Sequence, residues 1–288
     1  MQQASGSPAA SASAALNLDE LSGGRFTLGV GAGNRHINDW WHGADSSKPM
    51  RKLRQYLEVV RALLAARAGD RIEVRGDLHR VRFRTAQDPV GTVPVVVAAA
   101  GPRMIELAAA ASDGVGVGIL VSPEHLAEEI RPRALAAAEA AGADPGALRF
   151  PMAALVTVDD DVARARARAR QAICRLFHPV PHPYYDFLLR RQGYAAAADA
   201  VSELAPQSRW AEAAAHLDDE VVERLTITGT PRQCAARLGD YRGLVDEIIC
   251  LSPRTPPGIG PGDRYGRVLE ALALARADQP AIAAAPVP

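Results

Sequence analysis

One segment of the chain has a composition that suits the binding of an anion. Residues Ala98–Met104 (AAAGPRM) follow the apolar run Val93–Ala99 and lead into an Ala-rich stretch that begins at Pro102. This order predicts a buried strand that passes through glycine into a helix, whose free N–H groups and dipole attract negative charge. Arg103 would add a positive side chain. The alternative is an ordinary strand-to-helix turn without a ligand.

A second glycine-rich segment, Gly29–Asn34 (GVGAGN), ends a predicted strand at Arg25–Gly31. Glycines at such a point let the backbone approach a ligand closely. The spacing does not match the GxGxxG pattern of dinucleotide-binding proteins, and no clear helix is predicted to begin there. The segment is interpreted either as a ligand-binding loop or as a tight turn at the strand exit.

Histidine and tryptophan side chains follow this second segment. His36 and His42 lie just after the glycines, at the end of a strand where the active sites of α/β barrels occur. Trp40 and Trp41 would either wall an apolar pocket or cap the core. No histidine belongs to a zinc-binding spacing, so no metal site is predicted. The sequence also contains no nucleophile elbow or P-loop.

Strand-then-helix units recur along the chain and predict a parallel α/β fold. The pattern fits both an open doubly wound sheet and a (β/α)8 barrel, and five strands are too few for the complete barrel. The predicted strands are Arg25–Gly31, Val93–Ala99, Gly114–Leu120, Phe150–Val158 and Val245–Leu251.

Four segments lie outside this repeating pattern. Arg71–Val74 and His79–Phe83 predict a small hairpin separate from the main sheet. Residues 177–225 are mostly helical but interrupted by prolines, and are interpreted as a helical insertion region. Residues 279–288 are Ala/Pro-rich and are predicted to form a disordered tail. Residues 1–7 are predicted to be coil without a structural role.

The overall composition excludes several classes of protein. The 288 residues carry 33 Lys+Arg and 33 Asp+Glu, so the basic excess that is typical of nucleic-acid binding is missing. The sequence has no apolar run long enough for a membrane span and no signal peptide. The three cysteines lie far apart and include no CxxC pair, which predicts reduced core cysteines and a cytoplasmic protein.

Several of these segments together resemble the conserved blocks of the luciferase-like flavin-dependent oxidoreductases. The resemblance extends from Pro8 to about Leu251, with the blocks in the same order as in the family. The matching segments are Leu18–Phe26 (LDELSGGRF), Leu28–Gly33 (LGVGAG), Pro94–Met104 (PVVVAAAGPRM), Leu107–Gly114 (LAAAASDG), Val222–Pro231 (VERLTITGTP) and Gly243–Ile249 (GLVDEII).

The resemblance implies a (β/α)8 TIM barrel of the bacterial luciferase-like type, most similar to the branch of methylenetetrahydromethanopterin reductase. It implies an oxidoreductase that binds coenzyme F-420, or alternatively FMN, at the carboxyl ends of the strands. The enzyme would exchange a hydride with a small organic substrate, or oxygenate it with FMN, and would be a homodimer. The implied cofactor-binding residues are Gly31, Gly33, Asn34, Ala99, Gly101, Pro102, Arg103 and Met104.

The chain departs from the family pattern in two respects. The family has three βα units before the first block, so residues 1–278 are expected to form a barrel that lacks about those units. Two strand edges are then expected to be exposed, one at Arg25–Gly31 and one at Val245–Leu251. Asn34 stands where some F-420 dehydrogenases have a proton-donating Glu, and an amide is not an acid. His36 and Asp39 are the candidates to replace it. The alternative function is a non-catalytic partial barrel or an incomplete gene product.

Overall fold

The computed structural model describes residues 2–3, 6–86, 88–89, 91–178, 180, 182–253 and 261–277. The chain divides into two compact units. Unit 1 contains Met1–Val117 and Ile130–Pro151, and unit 2 contains Gly118–Glu129 and Met152–Pro288. The tail predicted at 279–288 lies outside the described residues, and the single barrel domain over 1–278 stays a prediction.

Strands and helices alternate along both units. The strands are β1 (Gln2–Gln3), β2 (Leu28–Gly31), β3 (Arg71–Arg75), β4 (Arg80–Arg84), β5 (Val95–Ala99), β6 (Gly114–Val117), β7 (Pro151–Val158), β8 (Ile227–Gly229) and β9 (Glu247–Leu251). The helices are α1 (Pro8–Ser22), α2 (Pro49–Leu64), α3 (Pro102–Ala111), α4 (Pro123–His125, continued by a π-helical turn, Leu126–Ile130), α5 (Arg131–Ala140), α6 (Val162–Leu176), α7 (Pro183–Arg191), α8 (Ala195–Leu204), α9 (Trp210–Ala215), α10 (Asp219–Leu225), α11 (Pro231–Gly239) and α12 (Pro261–Ala277). Within the described residues, no helix combines the length and hydrophobicity that a membrane crossing requires.

The sheet of unit 1 is parallel, with its strands in the order β1-β2-β5-β6. Val30 pairs with Val97 across β2 and β5, and both side chains are buried. β5 is continuously apolar because both faces of a parallel strand are covered. The predicted parallel α/β fold is therefore confirmed. Strands β2, β5 and β6 are each shorter than the segment that the sequence predicts for them.

The first residues of the chain differ from the sequence prediction. Gln2 and Gln3 form β1 and pair in parallel register with Val30 and Gly31. The prediction of coil at residues 1–7 is therefore wrong at these two positions, and β1 covers part of the β2 edge that was expected to be exposed. A two-residue strand carries no periodic pattern, so the sequence offers no signal for it.

Two helices and a hairpin complete the amino-terminal part of unit 1. The buried Tyr56 hydroxyl of α2 donates a hydrogen bond of 2.5 Å to the Ser11 hydroxyl of α1, which ties the two helices together. Leu53, Leu57 and Val60 recur at helical spacing and are buried. Strands β3 and β4 form the predicted antiparallel hairpin, which is a separate two-stranded sheet.

A single carboxylate, Asp113, connects β5, β6 and α2. Its Oδ2 accepts a hydrogen bond of 2.8 Å from the Val95 N–H, and its Oδ1 lies 2.9 Å from Arg61 Nη2. The next residue is glycine because a Cβ at Gly114 would lie 2.7 Å from the carbonyl oxygen of Arg149. The Asp113-Gly114 pair ends the matching sequence block Leu107–Gly114. Its contacts at the amino end of the sheet thus explain both residue types.

Unit 2 is built on β7, which pairs with β8 in parallel and also with β9. The Thr157 and Thr228 hydroxyls lie 2.6 Å apart, and Thr228 is hydrogen-bonded in turn to Thr226. The sequence prediction missed β8 because three residues are too few for a recognisable alternation. Helices α7 to α10 cover the predicted insertion region. Their apolar side chains, among them Leu189, Val201 and Leu225, form one core cluster with Phe177 and Leu217.

We predict that Asp113→Ala lowers the free energy of unfolding by about 2 kcal/mol, because hydrogen bonds to charged groups contribute about 1.5–3 kcal/mol. The substitution leaves the Val95 N–H without its acceptor. Arg61→Ala, which removes only exposed interactions, should cost less than about 1 kcal/mol. Urea denaturation measures both values. Equal losses would show that the ion pair, and not the main-chain hydrogen bond, dominates.

Candidate functional site

Both glycine-rich segments predicted from the sequence lie at one edge of the unit 1 sheet. Strands β2 and β5 are parallel and end at Gly31 and Ala99, so their carboxyl ends reach the same edge. The structure therefore brings Gly31–Asn34 and Ala99–Met104 to this edge. Ligands of parallel α/β proteins bind at the carboxyl ends of the strands. We call this edge, with both segments, the carboxyl edge.

Helix α3 begins at the carboxyl edge in the predicted manner. Gly101 is its N-cap residue, and Pro102 is its first residue, as the sequence predicts. The N–H groups of Met104 and Ile105 both donate to the Gly101 carbonyl oxygen at 3.0 Å. Arg103 is exposed, and within the described part of the chain no acceptor is found for its backbone N–H. A Cβ at Gly101 would meet open space.

A short helical segment, residues 35–41, follows the other glycine-rich segment, and it includes a π-helical turn at Ile37–Trp41. The prediction that no helix begins here is wrong. Asn34 starts the segment, because its Oδ1 accepts hydrogen bonds from the N–H groups of His36 (2.8 Å) and Ile37 (3.3 Å). The sequence does not predict this helix, because Asn, His, Asp and Trp have low helix propensity.

Asn38, which sequence analysis missed, is buried at the carboxyl edge with 3% of its surface exposed. Its Nδ2 donates a hydrogen bond of 2.8 Å to the Ala32 carbonyl oxygen, which fixes the orientation of the amide. Its Oδ1 is buried, and no described residue donates to it. A buried acceptor without a donor costs about 1–3 kcal/mol. This oxygen is thus suited to receive an N–H or O–H group of a ligand.

The two candidates for a proton donor differ in their surroundings. Asp39 accepts hydrogen bonds from the Ser46 hydroxyl (2.5 Å) and N–H (3.0 Å), and it pairs with Arg35 at 3.3 Å. The hydrogen bond from the Ser46 hydroxyl is the main cause that lowers the pKa of Asp39. A carboxylate held in its ionised form is poorly suited to donate a proton near neutral pH. His36 is half-buried in the same segment.

The tryptophan pair does not cap the core. Trp40 is 79% exposed and Trp41 is 67% exposed, so that interpretation is wrong. The alternative, a wall of an apolar pocket, stays a prediction. Among the residues that the structure describes, no group of three or more His, Cys, Asp and Glu side chains could hold a metal ion.

We predict that Asn34→Ala lowers the free energy of unfolding by about 1 kcal/mol, which is typical for the loss of an N-cap side chain. Asn34→Asp should retain the stability, because aspartate is an equally good cap and its charge suits the helix amino terminus. Chemical denaturation of the three proteins measures this. If both substitutions destabilise equally, the amide group has a role beyond capping.

Comparison with known proteins identifies the family. The luciferase-like monooxygenase family matches residues 3–247. The 5,10-methylenetetrahydromethanopterin reductase of Methanolobus tindarius is 30% identical over 253 residues, which is 86% of this chain and 74% of that protein.

Solved structures of cofactor-dependent enzymes have a similar fold. The coenzyme F-420-dependent tetrahydromethanopterin reductase of Methanopyrus kandleri has a TM-score of 0.69 at 21% identity, covering 93% of this chain and 76% of that one. The oxygenating component of 3,6-diketocamphane monooxygenase from Pseudomonas putida, solved with FMN, has a TM-score of 0.62 at 16% identity. The match covers 93% of this chain and 75% of that one. The chain thus has the α/β fold of the luciferase-like barrels, and it belongs to the luciferase-like monooxygenase family.

Proposed function

We propose that this protein is an oxidoreductase that uses coenzyme F-420 to exchange a hydride with a small organic substrate. The observation that carries the proposal is the pairing of two features at the carboxyl edge. Helix α3 presents there the Arg103 N–H, for which no acceptor lies among the described residues, and the Gly31–Asn34 segment follows the neighbouring strand. The similarity to methylenetetrahydromethanopterin reductase, whose structurally characterised counterpart is F-420-dependent, supports F-420 over FMN.

The residues present at the edge fit an anionic cofactor. The open space at Gly101 allows close approach to the start of α3, where the helix dipole and backbone N–H groups attract a phosphate. The exposed Arg103 side chain adds positive charge. We propose that Ala99, Gly101, Pro102, Arg103 and Met104 hold the phosphate end of the cofactor.

The other side of the edge fits the ring of the same cofactor. Flavin and deazaflavin rings carry polar N–H groups, and the Asn38 Oδ1 is a buried acceptor that lacks a donor among the described residues. We propose that the backbone of Gly31, Gly33 and Asn34 approaches the ring while Asn38 accepts a hydrogen bond from it. When bound, F-420 supplies a carbon atom that takes up or releases a hydride.

Proton transfer is assigned to His36. Asp39 is held ionised by Ser46, and the Asn34 Oδ1 is engaged in capping. An imidazole ring can both donate and accept a proton through its two nitrogens, which suits a general acid or base. We propose His36 as the group that exchanges a proton with the substrate.

Assembly and location are further proposals. The half-exposed Ile249 and Leu251 of β9 offer apolar contact area, and we propose that two copies associate as a homodimer. Light scattering of the purified chain tests this. The cytoplasmic location stays a prediction. A non-catalytic protein remains the competing function, and it would bind no F-420 and show no turnover.

We predict that Gly101→Asp weakens F-420 binding by at least tenfold, because its carboxylate would stand against the cofactor phosphate. Gly101→Ala is the matched control. A Cβ meets no atom there, and the backbone φ of −90° suits alanine. Fluorescence titration of the two variants and the unsubstituted protein gives the dissociation constants. Unchanged binding by Gly101→Asp would remove the α3 amino terminus from the cofactor site.

We also predict that the purified protein binds F-420 more tightly than FMN. Equilibrium dialysis against each cofactor, followed by direct competition, measures the ratio of the two dissociation constants. Tight FMN binding without measurable F-420 binding would reverse the assignment and favour an oxygenation reaction.

A further inference from the structure

The antiparallel hairpin of β3 and β4 has no role in the function proposed so far. Its apolar side chains, Ile72, Val74 and Val81, pack against the buried cluster that α1 and α2 form. Successive side chains of a strand point to opposite faces of the sheet. The alternate residues of both strands therefore form a second, exposed face, which consists of Arg71, Glu73, Arg75, Arg80, Arg82 and Arg84. We call it the arginine face.

Positive charge is concentrated on the arginine face. The face carries five arginines and one glutamate, an excess of four positive charges. The whole chain, in contrast, has 33 basic and 33 acidic residues. The excess is therefore a local feature of the hairpin, and it creates a positive potential that attracts anions.

The register of the hairpin places like charges directly opposite each other. Arg71 pairs with Arg84, and Arg75 pairs with Arg80. Like charges in such positions destabilise a sheet, because their Cβ atoms are only about 5 Å apart. Charged side chains on exposed strands also prevent aggregation, but alternating signs would serve that purpose without repulsion. The arrangement thus opposes folding, and a bound anion would offset the repulsion.

Several of these arginines are available to a ligand. The Glu73 Oε1 lies 2.5 Å from Arg75 Nη2 and 3.0 Å from Arg82 Nη2, so one carboxylate is shared by two guanidinium groups. Arg71, Arg80 and Arg84 are exposed, and no carboxylate of the described residues forms an ion pair with them. The charge of the face is therefore only partly neutralised within the chain.

The turn that joins the two strands is fixed on α2. The Gln55 Oε1 accepts hydrogen bonds from the N–H groups of Leu78 (3.0 Å) and His79 (3.3 Å). Asp77 is hydrogen-bonded to the Gln55 Nε2 and forms an ion pair with Arg51. The hairpin is thus an ordered platform, which reduces the entropy that binding would cost.

The arginine face borders a cavity of about 680 Å³. Its lining includes Glu73, Arg75, Arg80 and Arg82. None of the residues that define the carboxyl edge lines this cavity. The hairpin surface is therefore separate from the site proposed for the cofactor.

The chemistry of the arginine face selects one class of polyanion. A guanidinium group binds a carboxylate through two parallel hydrogen bonds. All six residues of the face are charged, so no aromatic side chain is available to stack on nucleobases and no apolar side chain to enter a bilayer. Carboxylates of an acidic peptide are thus the groups that suit the face.

The spacing of the arginines defines the peptide. The two arginine pairs lie four residues apart along each strand, which corresponds to about 13 Å. In an extended peptide, side chains four residues apart have the same separation and point to the same side. We propose that the arginine face binds an extended acidic segment of a partner protein, with one carboxylate against each arginine pair. The residue midway between them faces Glu73 and is uncharged or basic.

The test uses two fluorescein-labelled peptides of equal composition, TETQTET and TEETQTT. The first carries its glutamates four positions apart, whereas the adjacent glutamates of the second point to opposite sides of an extended chain. Each is titrated into the full chain and followed by fluorescence anisotropy. We expect TETQTET to bind roughly fivefold more tightly, because TEETQTT engages only one arginine pair, and its affinity should fall as salt is added.

Substitutions then locate the site on the hairpin. Arg75→Gln combined with Arg80→Gln removes one arginine pair and should weaken TETQTET binding roughly fivefold. The matched control is Arg232→Gln combined with Arg276→Gln, which changes the net charge equally at exposed arginines of α11 and α12. Glu73→Gln should strengthen binding about twofold, because it removes the carboxylate that competes for Arg75 and Arg82. A misfolded variant would not show such a gain.

Several results would overturn the inference. Equal affinity for the two peptides, or an equal loss in the control variant, would reduce the effect to unspecific attraction of charge. Tighter binding of an oligothymidylate than of TETQTET would assign the face to nucleic acid. A change in mass by light scattering in the hairpin variant, with unchanged peptide affinity, would make the face a contact between two copies. Weaker F-420 binding in that variant would assign it to the cofactor. Failure of the proposed function would appear separately, as absent F-420 binding in the unsubstituted chain.

Discussion

The parallel register of β2 against β5 is the constraint on which the candidate site depends. Val30 lies beside Val97, and both are buried, so a shift by one residue would turn the apolar side chains of one strand to the opposite face. This pairing fixes where the two strands end. The two glycine-rich segments therefore reach the same edge although about seventy residues separate them in the sequence.

Asp113 secures the opposite end of this arrangement. Its carboxylate accepts the hydrogen bond of the Val95 N–H at the start of β5 and binds Arg61 of α2. The position is part of a sequence block shared with the family, yet its contacts are structural and lie at the amino end of the sheet. A residue in a block that resembles the family can thus have a role in folding. Only its contacts distinguish that role from a role in ligand binding.

Polar side chains hold the 35–41 segment in place. Asn34 caps it, Asn38 attaches it to the Ala32 carbonyl and Asp39 attaches it to Ser46. These polar groups are used in forming the segment, and the hydrogen bonds of Asp39 to Ser46 make it a poor proton donor. The Asn38 Oδ1 stays buried without a donor among the described residues, and the indoles of Trp40 and Trp41 stay exposed.

The sequence by itself determined the parallel α/β class, the family, the separate hairpin and the start of α3. These follow from local signals: a valine run covered on both faces, a Gly-Pro helix start and motifs in a fixed order. Tertiary structure alone decided that Gln2 and Gln3 pair with β2, that β8 is a strand and that Asn34 begins a helix. It also decided that Asn38 is buried while Trp40 and Trp41 are exposed. Such features depend on hydrogen bonds and burial between segments, and a two- or three-residue strand or a single helical turn carries too few residues to record them as a pattern.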